Sequence, residues 1–255
     1  MADPAPVDLA SLRRSCGHCS LRQLCLPAGI GAEDLARLDS LVRRRRPLKR
    51  DERLFHIGDA SSSVYVARNG AFKTVSLSEG GDERVIGFHL PGELIGLDAL
   101  VGGDHRCEAV ALDGSDVCEV PFDELTDVAA QLPGLQRQLM RVIGQSILLD
   151  QEHVEMLSRR HANERIALFL HGLAERLQHI GQSPRQFRLA MSREDIASYL
   201  GLAIETVSRG FTRLQDDGVI AVAGRQVEVL DPAELARLAH GGEPQQPQPE
   251  QRRRA

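Results

Sequence analysis

The stretch Met191-Ser-Arg-Glu-Asp-Ile-Ala-Ser-Tyr-Leu-Gly-Leu-Ala-Ile-Glu-Thr-Val-Ser-Arg209 constrains the fold more than any other part of the chain. Ser192 suits a helix N-cap, and Asp195, three residues on, makes a capping box with Asp standing in for Glu. Gly201 breaks that helix at a turn, and a second helix is predicted from about Ile204 to Gln215. Apolar Ile196, Leu200 and Val207 suit the packing of one helix on the other. Asp217-Gly218 ends the second helix, and Val219 to Val222 with Gln226 to Leu230 form a short hairpin around Gly224. The result is a winged helix-turn-helix, whose second helix enters the major groove near its start. Glu205, Ser208 and Arg209 lie there. Arginine presents two donors to guanine O6 and N7, and glutamate can accept from the cytosine amino group. Thr206 and Arg213 are candidate phosphate contacts. The competing reading makes Glu205 and Arg209 an exposed i,i+4 pair worth a few tenths of a kcal/mol.

The second informative feature is Ser15-Cys16-Gly-His-Cys19-Ser-Leu-Arg-Gln-Leu-Cys25-Leu-Pro27. Three thiols in C-x2-C-x5-C spacing, at the edge of the protein, resemble a chelate. Thiolates hold zinc and iron–sulfur clusters alike, so residue type alone does not choose the metal. A four-cysteine site needs one more ligand. Cys107 and Cys118 are the candidates, and spacing does not decide between them. His18 is either a zinc ligand or a solvent-facing residue between two cysteines.

Between these features the pattern changes. Ala32 to Val42 carries leucines at 35, 38 and 41 and suits a short amphipathic helix. From Leu48 to Phe122, alternating runs such as Ser63–Ala67, Ala71–Val75 and Arg84–Phe88 are separated by Asn69-Gly70, Gly80-Gly81 and Pro91-Gly92. That spacing predicts an antiparallel roll or barrel. After Pro133-Gly134 a long helix is expected, then another from Asn163 to Ile180. In the long helix, Met140, Ile143, Ile147, Val154 and Leu157 step by three and four, with Asp150 in the missing slot. This is a coiled-coil seam and predicts a homodimer. The alternative is a helix packed only on its own roll. Asp150 facing its twin would weaken the dimer by like-charge repulsion, leaving it marginal and therefore switchable.

The fold class is therefore α+β. A cysteine-rich arm (residues 1–27) precedes a β-roll sensor domain (28–134), a dimerisation helix (135–162), a winged helix-turn-helix (163–240) and a compositionally disordered tail (241–255). The apolar runs are shorter than a membrane span and no signal pattern opens the chain, so we expect a cytoplasmic protein without membrane attachment. In a reducing compartment, five cysteines favour metal ligands or thiols over disulfides. The net charge of −5 does not advertise nucleic-acid binding, and residues 159–240 are nearly balanced, with 11 Arg against 10 Asp and Glu. A DNA-binding face must be local. Arg252 to Arg254 in the tail are read as solvated.

Taken together, these residues resemble the oxygen-sensing fumarate and nitrate reduction regulators, a branch of the cyclic AMP receptor protein superfamily. The likeness runs from about Cys16 to Leu238. It is carried by Cys19-Ser-Leu-Arg-Gln-Leu-Cys-Leu-Pro27, Gly87-Phe-His-Leu-Pro-Gly-Glu-Leu-Ile-Gly96, Val117-Cys-Glu-Val-Pro-Phe122 and Tyr199 to Arg209. The resemblance implies that Cys16, Cys19, Cys25 and Cys118 ligate a [4Fe-4S] cluster. It also implies a homodimer through Met140 to Leu157 while the cluster is intact, and loosening when oxygen converts the cluster to [2Fe-2S]. Double-stranded DNA of the form TTGAT-N4-ATCAA would be read by Glu205, Ser208 and Arg209. Ser20 and Leu24 match positions that shield the cluster, and Gly81 and Asp82 match a loop that touches RNA polymerase. His18 departs from the acidic or other polar residue common in the family, which bears on cluster potential. Cys107 lies outside the ligand pattern and reads as a buried small residue.

Three rivals compete with this reading. A cyclic-nucleotide-regulated factor would need the superfamily's phosphate cassette. Here the ribose-binding glutamate is replaced by Leu97, and Glu108 sits close to the candidate phosphate ligand Arg106. A zinc-stabilised constitutive DNA-binding protein is the second. The third, an enzyme such as a thiol redox catalyst, lacks any nucleophile–base pairing, phosphate loop or acid pair.

Overall fold

The computed structural model describes residues 16–44 and 47–241; the expectations for the first fourteen residues and for the tail arginines fall outside them. The arm opens with a short 3-10 turn, Cys16–His18, and passes to α1 (Ala32–Leu41). Eight strands follow: β1 (Arg43–Arg44), β2 (Arg53–Phe55), β3 (Ser63–Asn69), β4 (Phe72–Leu77), β5 (Glu83–His89), β6 (Leu94–Ile95), β7 (Glu108–Ala111) and β8 (Asp116–Pro121). A single-turn helix, α2 (Ala99–Gly102), interrupts them between β6 and β7. They build two antiparallel four-stranded sheets, ordered β1-β8-β3-β6 and β2-β7-β4-β5.

Strand alternation sorts the apolar residues into separate cores. Tyr65, Ala67, Phe72, Ala109, Ala111 and Val117 face inward and fill the space between the sheets with Leu54, Phe55, Ile95 and Cys107. The alternate residues Val64, Val66 and Val120 cover the outer face of the first sheet, against the arm and three helices. Val75, Val85, Phe88 and Val110 cover the outer face of the second sheet, against the C-terminal half of the chain.

A helix absent from the sequence reading, followed by the expected long helix, completes the first half. Phe122–Gln131 forms α3, and Pro133, at its favoured place in a first turn, starts α4 (Pro133–Ser158). The chain then runs through α5 (Ala162–His179), β9 (Gln186–Arg188), α6 (Arg193–Leu200), α7 (Ile204–Asp216), β10 (Ile220–Ala223), β11 (Gln226–Val229) and α8 (Pro232–Ala239). The wing is thus three-stranded, in the order β10-β11-β9. Asp231 caps α8, accepting from the Glu234 amide, and Pro232 follows it in the first turn. Among the described residues no helix is long and apolar enough to cross a membrane.

Candidate metal centre and nucleic-acid interface

The arm curls on itself through local hydrogen bonds. The Cys19 amide donates to the Cys16 carbonyl at 3.3 Å, the Cys25 amide to the Leu21 carbonyl at 2.9 Å and the Ala28 amide to the Cys25 carbonyl at 3.0 Å. The Cys16 amide is held by Asp39 Oδ1 on α1 at 2.9 Å. This brings Cys16, Cys19 and Cys25 over the outer face of the first sheet. There Cys118 stands on β8 opposite Val66 of β3, so both belong to the same face. The four cysteines line one small cavity with Leu21, Leu26, Leu38, Val66 and Val120, and with Arg22 and Arg68. Cys107 is elsewhere: it is buried between the sheets, its thiol 3.4 Å from Asp98 Oδ2. The structure therefore gathers Cys118 with the arm and separates Cys107, the choice that spacing left open.

Burial pushes the Cys25 thiol well above its ordinary value, against a backbone hydrogen bond at Leu26, and the thiols of Cys118, Cys16 and Cys19 push the same way. Four thiolates in such a place require positive charge among them. Among the described residues no three His, Cys, Asp or Glu side chains converge closely enough to hold one metal ion. The donor set is four cysteines around a shared pocket, and four cysteines are what a [4Fe-4S] cluster takes. Ser20 is exposed, and Leu24 lines a neighbouring cavity with Pro91, Gly92 and helix α4 rather than the thiol cavity.

The Cys25 loop leans on α4. Gln138, buried at 7% exposure, donates from Nε2 to the Cys25 carbonyl at 3.1 Å. One turn earlier Gly134 approaches so closely that a Cβ would stand 3.0 Å from the Gly29 carbonyl oxygen. Leu135, Leu139 and Val142 bury the same face of the helix. The other face is bare: Met140, Ile147, Val154 and Leu157 are exposed. Ile143 lies at the margin, half-buried against its own roll. Asp150 is exposed within this stripe. Partial burial raises its carboxyl above the usual range, and His153 opposes the shift.

In the C-terminal half the capping box is present in full: Ser192 Oγ accepts from the Asp195 amide at 3.0 Å, and Asp195 Oδ2 accepts from the Ser192 amide at 2.8 Å. Gly201 takes the left-handed conformation, φ 61°, that the turn requires. On α7, Val207, Gly210, Phe211 and Leu214 are buried, while Glu205, Ser208 and Arg209 are exposed together near its start. Arg209 Nη2 reaches Thr206 Oγ1 at 3.4 Å, and Arg213 pairs with Asp217 at 3.8 Å. No ion pair between Glu205 and Arg209 occurs among the described residues, so both remain available to a groove. Sequence reasoning missed Gly210. A Cβ there would meet Ile166 Cδ1 at 2.3 Å, so glycine sets the close approach of α7 to α5. Gly81 and Asp82 form the exposed tip of the β4–β5 hairpin, where Asp82 and Ser78 exchange hydrogen bonds.

The residues at the cassette positions bond within the chain, and a cavity lined by Gly96, Leu97, Asp98 and Cys107 with α4 lies beside them. Asp98 Oδ2 accepts from the Arg106 amide at 2.7 Å, His105 stacks on Phe55 at 3.5 Å, and Glu108 pairs with Arg53 at 2.5 Å. The Arg106 side chain is exposed.

Residues 45–131 match the cyclic nucleotide-binding domain, and residues 164–238 match the Crp-like helix-turn-helix domain. The transcriptional activator protein Anr of Pseudomonas protegens is 50% identical over 237 residues, covering 92% of this chain and 97% of the relative. The fumarate and nitrate reduction regulatory protein of Escherichia coli is 42% identical over 224 residues, covering 88% of this chain and 90% of the relative. This chain belongs to the fumarate and nitrate reduction regulator family. The solved structure of FixK2 from Bradyrhizobium japonicum superposes with a TM-score of 0.69 at 30% identity, covering 77% of this chain and 96% of that one. The regulator's helix-turn-helix is thus that of a family of DNA-binding transcription regulators, carried on a cyclic-nucleotide-binding fold.

Proposed function

We propose that this regulator is an oxygen-responsive transcription factor of anaerobic genes, and that Cys16, Cys19, Cys25 and Cys118 hold a [4Fe-4S] cluster. The observation that carries the proposal is the single cavity lined by these four cysteines, three from the arm and one from β8. When bound, the cluster supplies the oxygen-sensitive chemistry, conversion to [2Fe-2S]. The residues of the chain do the rest. Gln138 ties the Cys25 loop to α4, so the position of the loop and the position of the dimerisation helix are linked. The exposed Met140, Ile147, Val154 and Leu157 pair with the same residues of a second copy, and Ile143 packs at the edge. Asp150 keeps that dimer weak enough to be switched. Two reading heads related by a two-fold axis then recognise palindromes of the form TTGAT-N4-ATCAA in double-stranded DNA. Arg209 reads guanine, Glu205 reads cytosine, Ser208 lies between them, and Thr206 and Arg213 touch phosphates. Gly81 and Asp82 contact RNA polymerase. The activity is regulatory rather than catalytic, and the site of action is the cytoplasm.

The test is an anaerobic purification with an absorption spectrum and analysis for iron, sulfide and zinc. A brown protein near four irons per chain, altered by air with loss of dimer, is expected. Cys118→Ala abolishes the cluster and tight DNA binding, and Cys107→Ala does neither. A colourless protein with about one zinc, indifferent to air, would replace the sensor by a structural zinc site. Loss of the cluster in Cys107→Ala alone would overturn the ligand assignment.

A further inference from the structure

Covalently, the DNA-reading head hangs from the rest of the molecule by a break in helix. Arg159, with φ −63° and ψ 139°, and His161, with φ −101° and ψ 132°, are extended between α4 and α5. A head on such a joint can swing. Yet α6, the helix that supports the reading helix, is fastened to the β4–β5 hairpin of its own roll. Lys73 Nζ on β4 lies 2.6 Å from Asp195 Oδ1, with side chains only 18% and 11% exposed. The Val85 amide on β5 donates to Ser198 Oγ at 2.9 Å. Behind them His153 of α4 stacks on Tyr199 at 3.7 Å, with Nε2 2.8 Å from the Tyr199 carbonyl oxygen.

Asp195 does two jobs at once. One oxygen caps α6 through the Ser192 amide and the other takes Lys73. Burial alone would raise its carboxyl, but the hydrogen bonds from Lys73 and Ser192 hold it below the usual carboxylate range, so the pair is ionic. The contact is directional, because a charged hydrogen bond and a backbone-to-hydroxyl bond on adjacent strands fix both position and rotation of α6. Lysine occurs at only two places in the chain, 49 and 73.

We propose that Lys73 and Ser198 form a latch that sets the orientation of the reading head on its own roll. In a dimer this fixes the separation of the two reading helices and so selects the spacer length of the DNA palindrome. The latch residues touch no base. They act through Asp195 and α6 on α7, as positioning residues for DNA recognition. The proposal rests on the palindromic reading above. It makes the β4–β5 hairpin a shared part, with the head docked along its strands and the loop of Gly81 and Asp82 at its tip.

The experiment measures anaerobic binding of the full-length dimer to palindromes with spacers of three, four and five base pairs, and to a single half-site. Lys73→Met, Lys73→Arg and Ser198→Ala are compared with the unchanged protein. The unchanged protein is expected to prefer one spacer by roughly tenfold or more, as rigidly held heads require. Lys73→Met loses roughly tenfold on that spacer and almost nothing on the half-site, so the preference flattens. Ser198→Ala flattens it in the same direction, and Lys73→Arg, which keeps the charge, restores it. Full spacer preference in both Lys73→Met and Ser198→Ala would overturn the latch. So would an equal loss on palindrome and half-site, which would place Lys73 in general stability of the head. Absence of any spacer preference in the unchanged protein would refute the palindromic reading itself, and that outcome is visible before any variant is made.

Discussion

Replacing Gln138 by Leu should loosen the cysteine arm by an amount the structure lets us work out. The side chains are close in volume, so the core of Leu135, Leu139 and Val142 stays filled. What is lost is the 3.1 Å hydrogen bond to the Cys25 carbonyl, made by a side chain that is 7% exposed. With the arm docked, that carbonyl keeps its local bond from the Ala28 amide but loses its second partner. With the arm undocked, water replaces it. An unsatisfied buried acceptor costs about 1–3 kcal/mol, and because one bond remains about 1.5 kcal/mol is the reasonable expectation. At 1.4 kcal/mol per factor of ten, the undocked population rises roughly tenfold. Arg22 lies in the arm, so trypsin cleavage after it reports that population when opening and closing are fast. The assay is the cleavage rate at Arg22 in the metal-free protein, which frees the result from the cluster. A tenfold faster cut, with unchanged thermal stability of the winged helix-turn-helix, is the expected result. Cleavage at Arg22 within about twofold of the unchanged protein would show that Gln138 does not hold the arm and would remove the link from thiol pocket to dimerisation helix.

Three further predictions follow from other parts of the molecule. Asp150→Ala should strengthen dimerisation, read by sedimentation, and leave DNA binding partly active in air; an unchanged dimer would contradict the seam. Arg209→Ala should cost roughly 1–3 kcal/mol at the guanine it reads and much less on random DNA, read by competition binding, while equal losses on both would argue against base readout. Burial pushes the His89 imidazole down to about 4, against the pull of Glu93. The unfolded chain therefore binds this proton first, and stability is fully present above about pH 6.5 and falls as the pH drops towards about 4. Denaturant midpoints at pH 7.5 and 5.5 should diverge less in His89→Gln than in the unchanged protein; an equal drop would assign the acid sensitivity to other groups.

How much of this was legible without coordinates depends on the range of the interaction. Ser192, Asp195 and Gly201 announce their roles because a cap and a left-handed turn are decided within four residues. The leucines of α1 and the exposed stripe of α4 are visible for the same reason, since a periodic face repeats along a single helix. The wing hairpin around Gly224 was found, but β9 was not, because Gln186–Arg188 is too short to show alternation and is a strand only by pairing with β11. Helix α3 was hidden by the apolar end of β8, which runs straight into it.

By itself the sequence determined the local grammar of the chain: the caps, the glycine turn, the exposed reading residues, the strand alternation and three closely spaced thiols. All of these depend on neighbours within a turn or a strand. Tertiary structure alone decided what distant parts become to each other. It brought Cys118 rather than Cys107 to the arm, put Gln138 under the Cys25 carbonyl, packed Gly210 closely against Ile166, and joined Lys73 to Asp195. Those contacts pair residues far apart in the chain, and neither partner carries a mark of the other until packing of the sheets and helices places them within a few ångströms.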